Sequence, residues 1–279
     1  MRIAFQGEPG AYSEAAALRF GGHADLMPCE SFDEVFAATA AGRATHGILP
    51  VENSVGGSIH RNYDLLLEHD LPIVGEVELS ITHNLLVLPG VALDDIKRIY
   101  SHPQALAQCE RFLRAMPGVA VEATYDTAGS AKLVRERGLT DAGAIASERA
   151  AEVYGLAILQ PEIQDYSDNI TRFLVVSRTA APDERADKTT VVFSLPNEPG
   201  ALFKALSVFA LRDIDLTKIE SRPLRGRPWE YLFYVDLPVG RSDLRCARAL
   251  VHLAEFARSM RTLGSYPSWK SREAAAQHA

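Results

Sequence analysis

Four short segments join small or polar residues to the start of a predicted helix, at residues 10–13, 52–57, 101–104 and 126–128. In parallel α/β sheets such segments lie at the carboxyl ends of strands, where ligands bind. The free N–H groups and the dipole of a helix start favour an anion. Taken singly, each polar side chain is expected to cap its own helix. Because four such segments occur together, they predict an anion pocket lined by uncharged donors.

A fifth segment, residues 169–173, reads NITRF and opens a predicted strand. Side chains alternate along a strand, so Thr171 and Phe173 share one face and Arg172 points to the other. We therefore expect Thr171 to face the ligand, and Arg172 to reach it only if the strand begins later. The structural alternatives are a β-forming threonine and an arginine in a surface ion pair.

His102 and Cys109 could also carry chemistry. His102 follows a predicted strand, where a general acid or base could work; the alternative is a loop residue before Pro103. Cys109 has the helical spacing of the neighbouring leucines, which predicts a core thiol rather than a nucleophile.

Strands alternate with helices as far as residue 177, which predicts parallel βαβ units. The pattern restarts near residue 79, so we expect a first domain of two α/β lobes. We expect the first lobe to comprise about residues 1–78 and 160–177, and the second about residues 79–159. A cleft between two lobes is the expected ligand site.

Residues 178–188 are polar, carry Pro182 and predict a linker. Residues 189–267 then show the order βαββαβ, which is the ferredoxin-like arrangement. Such a unit has an open sheet edge, so we expect a homodimer or homotetramer. Residues 268–279 are polar and alanine-rich, which predicts a frayed tail.

Composition narrows the class of protein. The 279 residues carry a net charge of −7, which disfavours nucleic acid and anionic lipid as partners. No run of apolar residues is long enough for a membrane span, and the start lacks a signal-peptide pattern. Three widely spaced cysteines suit a reducing compartment, so we expect a cytoplasmic protein. Without GxGxxG, Walker, CxxC or HExxH motifs, we expect no cofactor and no metal.

Taken together, the segments resemble the prephenate dehydratase family. The motifs GxxGxYSE, PVENSxxG, SHPQALxQC and NxTRF occur in that order at residues 7–14, 50–57, 101–109 and 169–173. After the linker, NxPGAL (197–202) and ESRP (220–223) resemble the phenylalanine-binding segments of an ACT regulatory domain. The resemblance extends from Met1 to about Pro267.

The resemblance implies an α/β protein, with a two-lobed catalytic domain like the periplasmic binding proteins and a C-terminal α+β ACT domain. It implies decarboxylating dehydration of prephenate to phenylpyruvate, with feedback control by L-phenylalanine. By resemblance Thr171 is catalytic, and the substrate-binding residues are Ala11, Ser13, Asn53, Ser54, Ser101, Thr127, Arg172 and Phe173. The implied phenylalanine-binding residues are Asn197, Gly200, Ala201, Leu202, Glu220, Ser221, Arg222 and Pro223.

Two other functions remain open. An arogenate dehydratase would share the site but take a substrate with an amino group in place of the keto oxygen. No acidic residue of the matched motifs is plainly placed for that ammonium, so prephenate is favoured. A non-catalytic two-lobed binding protein would also have two lobes and a hinge. One departure, Phe203 where many relatives have valine, concerns the strength of effector binding.

Overall fold

The computed structural model describes residues 1–181, 183–224 and 226–277. Pro182 of the predicted linker and His278 and Ala279 of the predicted tail lie outside the described residues. The chain forms two compact units. The first comprises Met1–His69 and Val77–Leu174, and the second Asp70–Glu76 and Val175–Ala279. No helix in the described part of the chain is long and apolar enough to cross a membrane.

The first lobe of the first unit is built on a twisted sheet flanked by helices. Its strands are β1 (Arg2–Gln6), β2 (Asp25–Cys29), β3 (His46–Asn53), β4 (Gly57–Ser58), β5 (Ile73–Ser80) and β11 (Ile170–Ser177). Its helices are α1 (Tyr12–Gly21), α2 (Phe32–Ala40) and α3 (His60–Glu68). The strand order is β2-β1-β3-β11-β5, with β4 paired to β3, and β1 runs parallel to β2 and β3. The first residues of β5, 73–76, and the last residues of β11, 175–177, belong to the second unit.

The second lobe has its own sheet. Its strands are β6 (Asn84–Val87), β7 (Arg98–Ser101), β8 (Ala120–Ala123), β9 (Ala142–Ala146) and β10 (Ala157–Gln160). Its helices are α4 (Pro103–Gln108), α5 (Glu110–Arg114), α6 (Thr127–Glu136) and α7 (Glu148–Tyr154). The order is β10-β6-β9-β7-β8. The expectation of parallel units throughout is wrong here, because β6 runs antiparallel to both its neighbours.

Local sequence explains where several of these helices begin and end. Ser31 precedes α2, and its hydroxyl accepts a hydrogen bond from Glu34 N at 3.2 Å, as a capping serine does. The helical spacing that includes Cys109 does not form one continuous helix: α4 and α5 are separate, because the backbone at Cys109 leaves the helical region with φ −118° and ψ 27°. The chain crosses between the lobes beside β11, where Ile81 N donates to Asn169 O at 2.8 Å.

The second unit confirms the βαββαβ order. Its elements are β12 (Lys188–Ser194), α8 (Ala201–Ala210), β13 (Lys218–Pro223), β14 (Tyr231–Leu237), α9 (Leu244–Phe256), β15 (Ser259–Tyr266) and α10 (Trp269–Gln277). The antiparallel sheet has the order β13-β14-β12-β15. One face packs on both helices, and the rings of Phe193 and Phe233 stack there at 5.5 Å.

The frayed tail expected after residue 268 is wrong for the described residues, because they form α10. Trp269 at its start is buried, and its backbone N donates to Glu76 Oε1 at 3.1 Å. The Ser268 hydroxyl before it donates to Asp187 Oδ2 at 2.8 Å. These contacts, all within the second unit, hold the start of α10 in place, which the polar composition of the segment did not suggest.

Candidate active site

A cavity of about 400 Å³ lies in the first unit, lined by residues of both lobes. Each of the four helix-start segments contributes to it. Their lining members are Ala11, Tyr12, Ser13, Asn53, His102, Gln104, Asp126 and Thr127. Apolar walls come from residues such as Phe32, Ile59, Ile81 and Phe173. A cavity of this size with convergent polar groups is typical of a small-molecule site.

β11 carries Thr171 into the cavity as the strand alternation predicts. Thr171 and Phe173 line the cavity and are buried, whereas Arg172 is not among the lining residues. Arg172 Nη1 instead lies 4.0 Å from Glu52 Oε2. The expected contact of Arg172 with the substrate therefore has no support from this geometry, because the side chain emerges on the other face of the strand.

Asn53, at the end of β3, holds the Thr171 hydroxyl. Its Oδ1 accepts hydrogen bonds from the backbone N–H groups of Val55 and Gly56, which fixes the amide orientation. Its Nδ2 then donates to Thr171 Oγ1 at 2.9 Å and to Asn169 Oδ1 at 2.6 Å. Because Thr171 Oγ1 accepts this bond, its own proton remains to be donated to another group.

A buried chain of polar side chains extends from Asn169 into the second lobe. Asn169 Nδ2 donates to Gln108 Oε1 at 3.0 Å, and His83 Nε2 lies 2.8 Å from the same oxygen. His83 Nδ1 lies 2.8 Å from the Tyr12 hydroxyl. Burial lowers the pKa of His83, although its hydrogen bond to Gln108 opposes the shift. Burial raises the pKa of Tyr12 well above its usual range, and Cys109 adds to that shift. Both groups are therefore neutral in this chain of bonds.

Two glycines of the first motif let the β1–α1 turn approach the second lobe. A Cβ on Gly10 would lie 2.8 Å from Ala150 Cα, and Gly10 has φ +91°. A Cβ on Gly7 would lie 2.7 Å from Asp126 Oδ2. A hydrogen bond from Ser147 Oγ to Gly10 O, at 2.6 Å, joins the same turn to the second lobe. Only glycine suits both the backbone conformation and the space at these positions.

The hydroxyls of two predicted substrate-binding serines form hydrogen bonds to the backbone and do not line the cavity. Ser54 Oγ donates to Asp168 O at 2.7 Å and accepts from Ile170 N, so it joins β11 to the end of β3. Ser101 is fully buried, and its Oγ donates to Ile145 O at 2.6 Å. Neither is among the lining residues. Both hydroxyls bind backbone carbonyls of neighbouring segments that are distant in the sequence.

The sequence analysis missed several lining residues. Tyr12, Gln104 and Gln108 belong to the matched motifs, so the motifs themselves were the available signal. His83 had none, because it reaches the cavity only through the crossing between the lobes. His102 does line the cavity, and its Nδ1 accepts from Gln104 N at 3.2 Å as the cap of α4.

The prediction for Cys109 as a core thiol agrees with its surroundings. It is fully buried in an apolar cluster of the second lobe. Burial, with a smaller effect of Asp165, raises its pKa to about 12. Within the described residues no group of three or more His, Cys, Asp or Glu side chains could hold a metal ion.

The predicted phenylalanine-binding residues lie in two segments of the second unit. Asn197, Gly200 and Leu202 are exposed where the chain enters α8, and Gly200 caps that helix with φ +79°. Ser221 and Pro223 of β13 are exposed, whereas Ala201, Glu220 and Arg222 are half-buried. Ser194 and Arg222 both pair with Leu232, so the segments reach the same end of the sheet with β14 between them. Two strand spacings separate β12 from β13 by about 10 Å.

Chemically, the lining offers uncharged donors, the carboxylate of Asp126, and a Thr171 hydroxyl whose proton is free to be donated. Comparisons with known proteins identify the family to which a chain with this arrangement belongs. A family model for prephenate dehydratase matches residues 3–181, and one for the ACT domain matches residues 189–244.

Two curated or solved relatives carry dehydratase names. The chain is 52% identical over 278 residues to arogenate dehydratase/prephenate dehydratase 2, chloroplastic, of Arabidopsis thaliana, a match that covers 96% of this chain and 73% of that protein. It is 35% identical to prephenate dehydratase from Arthrobacter aurescens, solved in complex with L-Phe. That match has a TM-score of 0.89 and covers 100% of this chain and 97% of the other.

A third relative has a different description. The solved structure of GqqA, described as a novel type of quorum quenching acylase, is 38% identical with a TM-score of 0.89. The match covers 96% of this chain and 98% of that one. The two-lobed fold with an ACT domain is thus confirmed. Because the family models match both units in the order that the motifs suggested, this chain is a lyase that belongs to the prephenate dehydratase family.

Proposed function

We propose that the chain converts prephenate to phenylpyruvate, carbon dioxide and water. The observation that carries this proposal is the bond from Asn53 Nδ2 to Thr171 Oγ1 at 2.9 Å. It occupies a lone pair of the hydroxyl and leaves the hydroxyl proton available to a group in the cavity. A departing hydroxide is such a group, because it develops negative charge as it leaves.

The bond changes need no redox partner. The bond between the ring and its carboxylate breaks, its electron pair completes the aromatic ring, and the C–O bond to the ring hydroxyl breaks at the same time. Prephenate, a dianion, thereby gives the phenylpyruvate anion, carbon dioxide and hydroxide, which becomes water when it takes up a proton. Thr171 stabilises the departing oxygen by hydrogen bonding, and orientation by the cavity supplies the rest.

The substrate carboxylates would be held by the helix starts. Ala11 precedes α1 without a side-chain cap, which leaves the first N–H groups of that helix without a side-chain acceptor on the capping residue. Ser13 and Thr127 add hydroxyls at the starts of α1 and α6. Phe173 and the other apolar walls would pack against the ring.

The direct test is phenylpyruvate release from prephenate by the purified chain. Turnover that depends on Thr171 supports the proposal. A folded protein that releases no phenylpyruvate would contradict it.

We propose that L-phenylalanine inhibits this turnover by binding where two copies of the chain meet. The two predicted segments lie at one end of the sheet but on strands separated by β14, so a small amino acid would bridge them more readily across two chains. The prephenate dehydratase from Arthrobacter aurescens, similar to this chain over its whole length, was solved with L-Phe bound. An effector that binds an inactive form better shifts the population toward that form.

Asn197→Ala tests this regulation, because the residue is exposed and lies outside the catalytic unit. We expect uninhibited turnover to be unchanged and the inhibition constant for L-phenylalanine to rise about tenfold or more, for loss of one hydrogen bond to a charged group. Unchanged inhibition in this variant and in Glu220→Gln would contradict the assignment.

We propose a homodimer or homotetramer in the cytoplasm. The three free, buried cysteines fit a reducing compartment, and the exposed side chains of β13 leave an edge for a second copy. Sedimentation with and without L-phenylalanine measures the assembly, and a monomer under both conditions would contradict it.

A further inference from the structure

Asp126 is the one acidic side chain among the described residues that line the cavity. It precedes α6, where its Oδ1 accepts a hydrogen bond from Ala128 N at 2.8 Å. Its Oδ2 accepts from Glu8 N at 3.2 Å. Oδ1 also accepts from Thr127 Oγ1 at 3.4 Å. Each carboxylate oxygen has two lone pairs, so these three bonds leave capacity for a further donor at Oδ2. The side chain is buried and borders the cavity.

The charge of the lining is unusual for a site that binds a dianion. Among the lining residues that the structure describes, there is no lysine and no arginine. The nearby Lys132 is engaged outside the lining, where its Nζ lies 3.1 Å from Glu8 Oε2. Asp126 therefore sets the fixed charge of the cavity. A carboxylate in a partly desolvated cavity repels an anion and attracts a cation.

Two substrates with the same ring differ at the group that this carboxylate would meet. Prephenate carries a keto group beside its side-chain carboxylate and has a net charge of −2. Arogenate carries an ammonium there, so its net charge is −1. The ammonium offers three N–H donors to a carboxylate acceptor, whereas the keto oxygen can only accept hydrogen bonds.

We propose that Asp126 is a specificity-determining residue that binds the ammonium of arogenate and adds this amino acid to the substrates of the site. The proposal rests on the proposed function, since it uses the same cavity and the same bond changes at the ring. Loss of carbon dioxide and hydroxide from arogenate gives phenylalanine, carbon dioxide and, after proton uptake, water. No residue other than those already assigned is needed for the ring chemistry.

Asp126 also caps α6, and the test must separate that role from specificity. Asn and Ser cap helices about as well as Asp, so Asp126→Asn and Asp126→Ser keep the cap and remove the charge. Loss of the cap alone would change turnover of both substrates in proportion. Loss of a charged acceptor changes the ratio of the two values of kcat/KM.

The experiment measures kcat/KM for arogenate and for prephenate with the wild-type chain and three variants. We expect the wild type to use both substrates. In Asp126→Asn and Asp126→Ser the arogenate-to-prephenate ratio should fall by about 10- to 100-fold, the range for a hydrogen bond to a charged group. Glu8→Gln, which removes a neighbouring negative charge outside the lining, should leave the ratio unchanged.

The outcomes separate this proposal from the proposed function. A ratio that stays within about twofold of wild type in a folded Asp126 variant would overturn the role of Asp126. Wild-type turnover of prephenate without turnover of arogenate would overturn it while supporting the proposed function. Turnover of arogenate alone, with the ratio dependent on Asp126, would support it and contradict the assignment of prephenate. Turnover of neither substrate by folded protein would overturn both.

Discussion

Asn53 and Thr171 are 118 positions apart in the chain, yet Asn53 Nδ2 donates to Thr171 Oγ1 over 2.9 Å. The bond joins the end of β3 to the start of β11, two neighbouring strands of the first lobe. Its direction is set by the backbone, because the N–H groups of Val55 and Gly56 occupy Asn53 Oδ1. A loop that contains no catalytic group thus determines where the threonine proton is available.

Asn53→Asp reverses this bond while keeping the loop. The carboxylate still accepts from the two backbone N–H groups, but it has no donor for Thr171. The threonine hydroxyl then donates its own proton to Asp, and the departing hydroxide loses its partner. We expect kcat for prephenate to fall by about 10²–10⁴-fold, the usual contribution of one acid–base group. A variant with the thermal stability of wild type and more than a tenth of its kcat would contradict this role of Asn53.

Gly10→Ala tests the close approach of the β1–α1 turn to the second lobe. The added methyl would lie 2.8 Å from Ala150 Cα, so the turn must move away from α7. Gly155→Ala is the control, since Gly155 also has a positive φ, of 60°, but has open space at its Cβ position. We expect both variants to lose about 1 kcal/mol from the backbone conformation. Only Gly10→Ala should also raise KM, measured by steady-state kinetics. Equal effects of the two substitutions would show that the contact is unimportant.

The buried side chain of His83 makes the folding stability of the chain depend on pH. Burial lowers its pKa from the ordinary value of 6.5, so between that value and the folded pKa the unfolded chain binds a proton that the folded chain does not. Folding stability therefore falls as pH drops below about 6.5. Urea unfolding at pH ~7.5 and ~5.5 measures the fall. It should be smaller in His83→Gln than in wild type, whereas His23→Gln, at an exposed histidine, should behave like wild type. An identical fall in all three proteins would exclude His83 as its source.

The ion pair formed by Glu76 and Lys188 is expected to stabilise the second unit. Lys188 Nζ lies 2.9 Å from Glu76 Oε2, and the two side chains are only 12% and 2% exposed. Lys188→Met removes a cation from the buried glutamate, and breaking a buried pair in this way costs about 3–5 kcal/mol. Arg2→Met is the control, because the pair of Arg2 with Asp25 is exposed and is worth at most about 1 kcal/mol. Denaturant unfolding measures the free energy of unfolding of both variants. Equal losses in the two would contradict a stabilising role of the buried pair.

The sequence was informative where a feature is local. The helix starts, the alternation of Thr171 and Arg172, and the βαββαβ order follow from neighbouring residues and are present in the structure. Local features also misled, since Ser54 and Ser101 resemble ligand donors but bind the backbone of nearby strands. For a serine at the end of a strand, the sequence does not distinguish a hydroxyl that faces a cavity from one that binds a neighbouring segment.

What could not be predicted depends on contacts between distant segments. His83 reaches the cavity because the crossing at Ile81 pairs with Asn169. The helix α10 forms at a polar end of the chain because Trp269 is buried beside Glu76, far away in sequence. Asp126 was visible in the sequence as part of a helix start, but only the fold shows that its carboxylate borders the cavity.

The proposed mechanism depends above all on the Thr171 hydroxyl, which assists departure of the ring hydroxyl, and a comparison of kcat for prephenate between two variants tests this role. Thr171→Ala removes the hydroxyl, and Thr171→Ser keeps it. We predict a fall of about 10²–10⁴-fold for alanine and recovery to within about tenfold of wild type for serine, with both variants folded. Retention of most turnover by Thr171→Ala would contradict this mechanism, because the departing hydroxide would then leave without the group that the geometry provides.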